Sequence, residues 1–212
     1  ELPDATANCG TVSCDKTAAE LVNVGTYTVT YTVAGTDNYD GDTKTVTVKI
    51  NPKAITEDDV QLNGSLVYTG SEQTQQITVT AGIDFEVTGN KATNVGSYTL
   101  TVTASGNYTG SVTKDWSIGK AVATVETAPT AKELTYTGAA QALVTAGTAN
   151  GGKLVYSLSE NGIYAETIPT GTNAGDYMVW YYVQGDDNHA DSAKASVKVT
   201  IAKAKAETSV NT

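Results

Sequence analysis

The chain has 212 residues, with 23 Asp and Glu against 13 basic residues and a formal net charge of −10. Every basic residue is Lys. A chain without Arg and with an acidic excess lacks the cationic forks that phosphates and base edges require, which excludes nucleic acid and argues equally against an anionic lipid surface. No apolar run approaches the ~20 residues that cross a bilayer, so no membrane insertion is expected.

Thr recurs in alternating strings, and 12 Tyr stand against a single Phe. Both types suit pleated, half-wet surfaces. No 3.6-residue apolar period persists, so an all-β protein is expected. The opening, ELPDATANCG, lacks the basic start and apolar core of a secretory signal. It leads into CGTVSC, where four residues separate Cys9 from Cys14. Two thiols and one distant His are too few for zinc, and the spacing is not the redox C-x-x-C. A local disulfide and two free thiols are the readings left.

Next comes NVGTYTVTYTVAGTDNYDG (23 to 41), an alternating strand followed by a Gly/Asn turn. The pattern returns as NVGSYTLTVTASGNYTG (94 to 110) and NAGDYMVWYYVQGDDNHAD (173 to 191). Gly25, Gly96 and Gly175 recur 71 and 79 residues apart. Each occurrence leads to a strand ending in Ile and then Lys-Ala: TVTVKINPKA, DWSIGKA and VKVTIAKA. LVYTGSEQ (66 to 73) is matched by LTYTGAAQ (134 to 141). Three tandem modules are expected, at 1–52, 53–120 and 121–204, with 205–212 read as the start of a further module or a tail. The first module lacks the Y-T-G element and is read as N-terminally incomplete. In the second, strands are expected at Leu66–Tyr68, Gln76–Thr80, Asp84–Thr88, Ser97–Ala104 and Ser111–Ile118, with turns carrying Gly and Asn. That density suggests tandem Ig-like β-sandwich modules, with β-grasp-like modules as the alternative. The linkers near Asn51-Pro52 and Gly119-Lys120 are short, so an elongated, semi-rigid array is expected.

The Y-T-G elements, the V/A-G-x-Y motifs at 24 to 27, 95 to 98 and 174 to 177, the Asn-Tyr turns and the Ile…Lys-Ala exits together resemble the MBG/YDG-type repeats of bacterial surface proteins. The resemblance covers all but about the first 20 residues. It implies Ig-like β modules in an extracellular, cell-surface protein, acting as a non-catalytic stalk of an adhesin-like chain whose partners are neighbouring modules. The departures are the missing Y-T-G in the first module and His189 in place of Tyr39 and Tyr108.

No catalytic constellation is found, and no G-x-S-x-G element occurs. His189, the only His, sits at the aromatic position of its turn and is read as a packer. Asp37, Asp40 and Asp42 cluster on the first turn, and Asp186 and Asp187 on the third. Such carboxylates are candidate Ca²⁺ ligands. The spacing departs from an EF-hand loop, and the second turn has none, so solvated turns and no cofactor are the first reading.

The strand Tyr177–Val183 breaks the alternation. Tyr177, Val179, Tyr181 and Val183 match the core faces Tyr27–Val33 and Tyr98–Ala104. The other face is Thr in the first two occurrences but Met178, Trp180 and Tyr182 in the third. The third also has extra length: Gly147 to Gly175 is 28 residues where Gly82 to Gly96 is 14. A hairpin insertion is placed near 151–169. Either it lies over Trp180 and Tyr182, or Trp180, Tyr182, Tyr156 and Tyr164 form an aromatic platform for a glycan or a protein of the host or cell surface. Trp116, two residues before Ile118, is read as core.

Overall fold

The computed structural model describes residues 2–208; residues 209–212, the end of the expected 205–212 segment, lie outside them. The chain is all-β: strands make up 54% and helix 3%, the latter as two single-turn 3₁₀ segments, Ala18–Glu20 and Glu57–Asp59. The Thr/Val/Tyr alternation accounts for this. It gives each strand one apolar face and leaves no stretch with a helical stripe. The chain divides into two compact units, the first Glu1–Gly64, Thr74–Lys91 and Tyr98–Trp116, the second Ser65–Gln73, Ala92–Ser97 and Ser117–Thr212. The middle third of the sequence contributes to both.

In the first unit, Val12–Cys14, Gly25–Val33 and Asp42–Ile50 form a three-stranded antiparallel sheet in that order. The hairpin keeps register from Gly25 opposite Ile50 to Val33 opposite Asp42. Of its core-facing residues only Val29 is fully buried. The N-terminal stretch is mostly exposed, though the Tyr31 hydroxyl donates to the Pro3 carbonyl at 2.6 Å. The unit also holds Val60–Asn63 paired with Gln76–Val79, and Asp84–Thr88 paired with the strand Gly96–Ser105 through Thr101–Ser105. Leu100, Val102, Ala104, Val112 and Trp116 are buried. Trp116 donates its indole N–H to the Gly89 carbonyl at 3.0 Å and packs tilted on Tyr98 at 4.9 Å. Gly89 takes φ +73°, and a Cβ there would lie 2.5 Å from the Thr99 carbonyl oxygen, so only glycine fits.

In the second unit, the hairpin Gly175–Gly185 with Ala195–Ala202 is flanked by Gly152–Ser157, antiparallel, and Leu134–Thr135, parallel. Buried Val179, Tyr181, Val199, Ile201 and Tyr156 pack with Leu143 and Val144 from outside that sheet, closing a sandwich-like core. At about 25 cal/mol per Å² removed from water, such burial is the main favourable term.

The excess length of the third occurrence falls within the range 151–169, where a hairpin insertion is expected. Gly152–Ser157 is a sheet-edge strand beside Gly175–Gly185, the place Asp84–Thr88 holds beside Gly96–Ser105. The next short strand follows Thr88 at Lys91–Ala92 but follows Ser157 only at Thr170–Gly171. The extra residues therefore lie mainly in the connection 158–169. A count from glycine to glycine does not say which part of an interval has grown.

Candidate functional site

The aromatics split between the two faces of the long strand. Tyr156 lies opposite Tyr181 and is buried in the core at 4% exposure, so it belongs to no surface platform. Trp180 and Tyr182 are half-buried on the other face. The connection after Ser157 folds back through paired main-chain bonds between Tyr156 and Ala165. It sets Tyr164 edge-on to Tyr182 at 4.9 Å. Lys194 lies over the Tyr164 ring at 5.1 Å and donates to the Glu160 carbonyl at 2.7 Å, which also accepts the Tyr164 hydroxyl at 2.9 Å. Burial raises the Tyr164 phenol above its ordinary pKa, with nearby Glu160 adding to this. A lysine–tyrosine–tyrosine stack thus lies on the connection, and Met178 on the same face is exposed.

The carboxylates do not gather. Among the described residues no three His, Cys, Asp or Glu side chains stand close enough to hold a metal ion. Asp42 opens a strand and bonds the Thr43 N–H, while Asp37, Asp40 and Asp187 are exposed. Asp186 is 2.7 Å from His189 Nδ1 and also accepts the Asn188 N–H. The His189 ring holds the Asp186 carboxyl below the ordinary carboxylate range. Cys9 and Cys14 are both free thiols.

His189 packs edge-on to Tyr68 of the Y-T-G element, with centroids 5.2 Å apart. Around it the structure builds a joint that the sequence reading did not single out. The Asn188 side-chain oxygen accepts the Val95 N–H at 3.0 Å. The Asn188 and Ala190 carbonyls accept the Ala121 and Ala123 N–H groups at 3.1 and 2.9 Å, forming a short parallel ladder. Lys120 Nζ donates to the Asp186 carbonyl at 2.9 Å and reaches the His189 carbonyl at 3.4 Å. All of these residues lie in the second unit.

The first unit holds the same arrangement. Asn107 Oδ1 accepts the Val24 N–H at 2.8 Å, and its Nδ2 donates to Asn23 Oδ1 at 3.0 Å. Lys53 and Ile55 N–H donate to the Asn107 and Thr109 carbonyls, each at 3.0 Å, and Lys53–Ala54 runs parallel to Tyr108–Thr109. In two of the V/A-G-x-Y motifs the Tyr holds the corner. Tyr27 donates its hydroxyl to the Asn23 carbonyl, and Tyr177 to the Asn173 carbonyl, both at 2.9 Å. The signal was present in the sequence as an Asn before the aromatic of each turn and an Asn before each V/A-G-x-Y. Nothing in strand alternation marks two such residues as partners.

Neither family models nor curated proteins match the chain.

Proposed function

We propose that this chain is a non-catalytic structural spacer, built of tandem Ig-like β modules, in a bacterial cell-surface protein of adhesin type. The observation that carries the reading is the recurrent joint. The motif residues shared along the sequence, Asn-x-Gly-x-Tyr, the Asn-aromatic turn and the exit after Ile, converge on hydrogen bonds that fasten one segment to another. A segment held at a side-chain amide, a two-rung ladder and an aromatic edge resists rotation about its linker, as a spacer must. The MBG/YDG-type resemblance supports the extracellular placement.

Pulling on the two ends of single molecules tests this. Stepwise unfolding with a measurable force at each step is expected, and extension without resistance would overturn it. An array of glycans and surface glycoproteins examines the adhesive reading, which Tyr164, Tyr182 and exposed Met178 favour. A saturable ligand lost on Tyr182→Ala would replace the spacer with a binding module.

A further inference from the structure

The chain carries the joint's two halves three times each. The sockets are Asn23-Val24-Gly25, Asn94-Val95-Gly96 and Asn173-Ala174-Gly175. The turns are Asp37-Asn38-Tyr39, Gly106-Asn107-Tyr108 and Asp187-Asn188-His189. The second turn fills the first socket within the first unit, and the third turn fills the second socket within the second unit. Among the described residues, the Asn173-Ala174-Gly175 socket and the Asp37-Asn38-Tyr39 turn have no such partner. We propose that the surface made by Tyr136, Asn173–Ala174 and Lys203–Ala206 docks the Asp37–Asn38–Tyr39 turn of a second copy of this chain.

The open socket has each part of the filled ones. The Ala174 N–H corresponds to those of Val24 and Val95, and no described residue accepts it. Ala204 and Ala206 stand three and five residues after Ile201, as Ala121 and Ala123 do after Ile118, and their N–H groups find no acceptor among the described residues. Lys203 holds the place of Lys120. Tyr136 of the second Y-T-G element holds the place of Tyr68. It is 43% exposed, and Tyr68 is partly covered, with His189 against its ring. Tyr136, Asn173, Ala174 and the stretch Lys203–Ala206 line one open cleft. Tyr177 already holds the Asn173 corner.

The free turn is preformed. Main-chain bonds run both ways between Thr36 and Tyr39, at 2.8 and 3.3 Å. Tyr39 is 52% exposed, and no hydrogen bond reaches the Asn38 side chain among the described residues. Docked as the filled joints are, Asn38 Oδ1 accepts the Ala174 N–H. The Asn38 and Asp40 carbonyls accept Ala204 and Ala206, Lys203 caps the Thr36 carbonyl, and Tyr39 packs on Tyr136. Charge favours the match, because Lys203 and Lys205 face a turn that carries Asp37, Asp40 and Asp42. Socket and turn are different surfaces, so the contact is head-to-tail. The few bonds involved place it among weak contacts. The inference goes beyond the spacer reading and does not need it, since a chain that fails to self-associate still bears load through its filled joints.

The test separates the halves. A ¹⁵N-labelled Asn38→Ala chain, with its socket intact, is titrated with unlabelled wild-type chain to millimolar concentration. The Ala174, Ala204 and Ala206 amide resonances should move and saturate. Unlabelled Asn38→Ala/Tyr39→Ala chain should bind about ten-fold more weakly or not at all. The Val95 amide, in a filled joint, should stay in place in both titrations, which shows that the labelled chain stays folded, and a cooperative melt like that of the wild type shows the same for the unlabelled double variant. Resonances that do not move, or that move equally with the doubly substituted chain, overturn the proposal.

Discussion

Asn188→Ala is the sharpest test of the joint. The substitution removes one acceptor and leaves the ladder intact, because the Ala121 N–H bonds the main-chain carbonyl of residue 188, not its side chain. The Val95 N–H that loses its partner is part-buried. A buried donor left without an acceptor costs about 1–2 kcal/mol. The matching change at Asn107 strands the Val24 N–H and removes the Nδ2 bond to Asn23, both at exposed sites where water replaces the lost partner, so about 0.5–1 kcal/mol is expected there. Asn188→Ala should therefore lower the melting temperature by about 2–8 °C, at about 2–4 °C per kcal/mol for a chain of this size. Hydrogen exchange gives the local readout. The Val95 amide should exchange about ten-fold faster, since 1.4 kcal/mol is a factor of ten. Core amides such as Val199 should slow or quicken only with global stability. If Asn107→Ala costs more than Asn188→Ala, or if Val95 exchange is unchanged, the hydrogen bond does not fasten the joint and the reasoning fails.

Other outcomes follow from the same geometry. Gly89→Ala forces a Cβ to within 2.5 Å of the Thr99 oxygen at φ +73° and disturbs the carbonyl that accepts the Trp116 indole; a loss of about 2 kcal/mol or more, with a shifted tryptophan emission, is expected in urea denaturation. Leu143→Ala empties a fully buried site in the core of the second unit and should cost about 2–5 kcal/mol by the same measurement. Tyr164→Ala removes the edge-on partner of Tyr182 and the ring beneath Lys194; about 0.5–1.5 kcal/mol should be lost, and an unchanged midpoint would show that the connection after Ser157 does not cover Tyr182. Asp59, Asp176 and Asp186 have folded-state pKa values below the ordinary one, the first from the Thr56 N–H, the second from the Thr200 hydroxyl, the third from His189. Their contribution is complete above the unfolded value of about 4 and is lost as pH falls through the lower folded values. The denaturation midpoint should hold between about pH 5 and 7 and decline below about 4; a midpoint flat down to pH 3 would contradict the assignment.

The long strands were legible in the sequence because each has a repeating physical cause. Asp84–Thr88 lies where it was expected, Gly96–Ser105 is a residue longer than expected at each end, and Ser111–Gly119 is a residue longer at one. Alternation also separated Val179, Tyr181 and Val183, which are buried, from half-buried Trp180 and Tyr182 on the far face. The two-residue strands were illegible for the opposite reason. Lys53–Ala54 and Ala121–Val122 have no period to read, and what makes them strands is a parallel partner more than 50 residues away in the sequence. Tyr156 is grouped in the sequence reading with Tyr164, Trp180 and Tyr182 because it shares the extra stretch 151–169 with Tyr164. A strand sends neighbouring side chains to opposite faces, and its register with Tyr181 turned Tyr156 into the core. The asparagines fall between these cases. Asn107 and Asn188 sit in turns, where Asn is ordinarily explained by backbone conformation, and that explanation conceals a side chain that serves another strand. What distinguishes them is the pairing of two motifs. An Asn-aromatic turn and an Asn-x-Gly corner recur together along the chain, and a conformational preference alone would give no reason for them to do so.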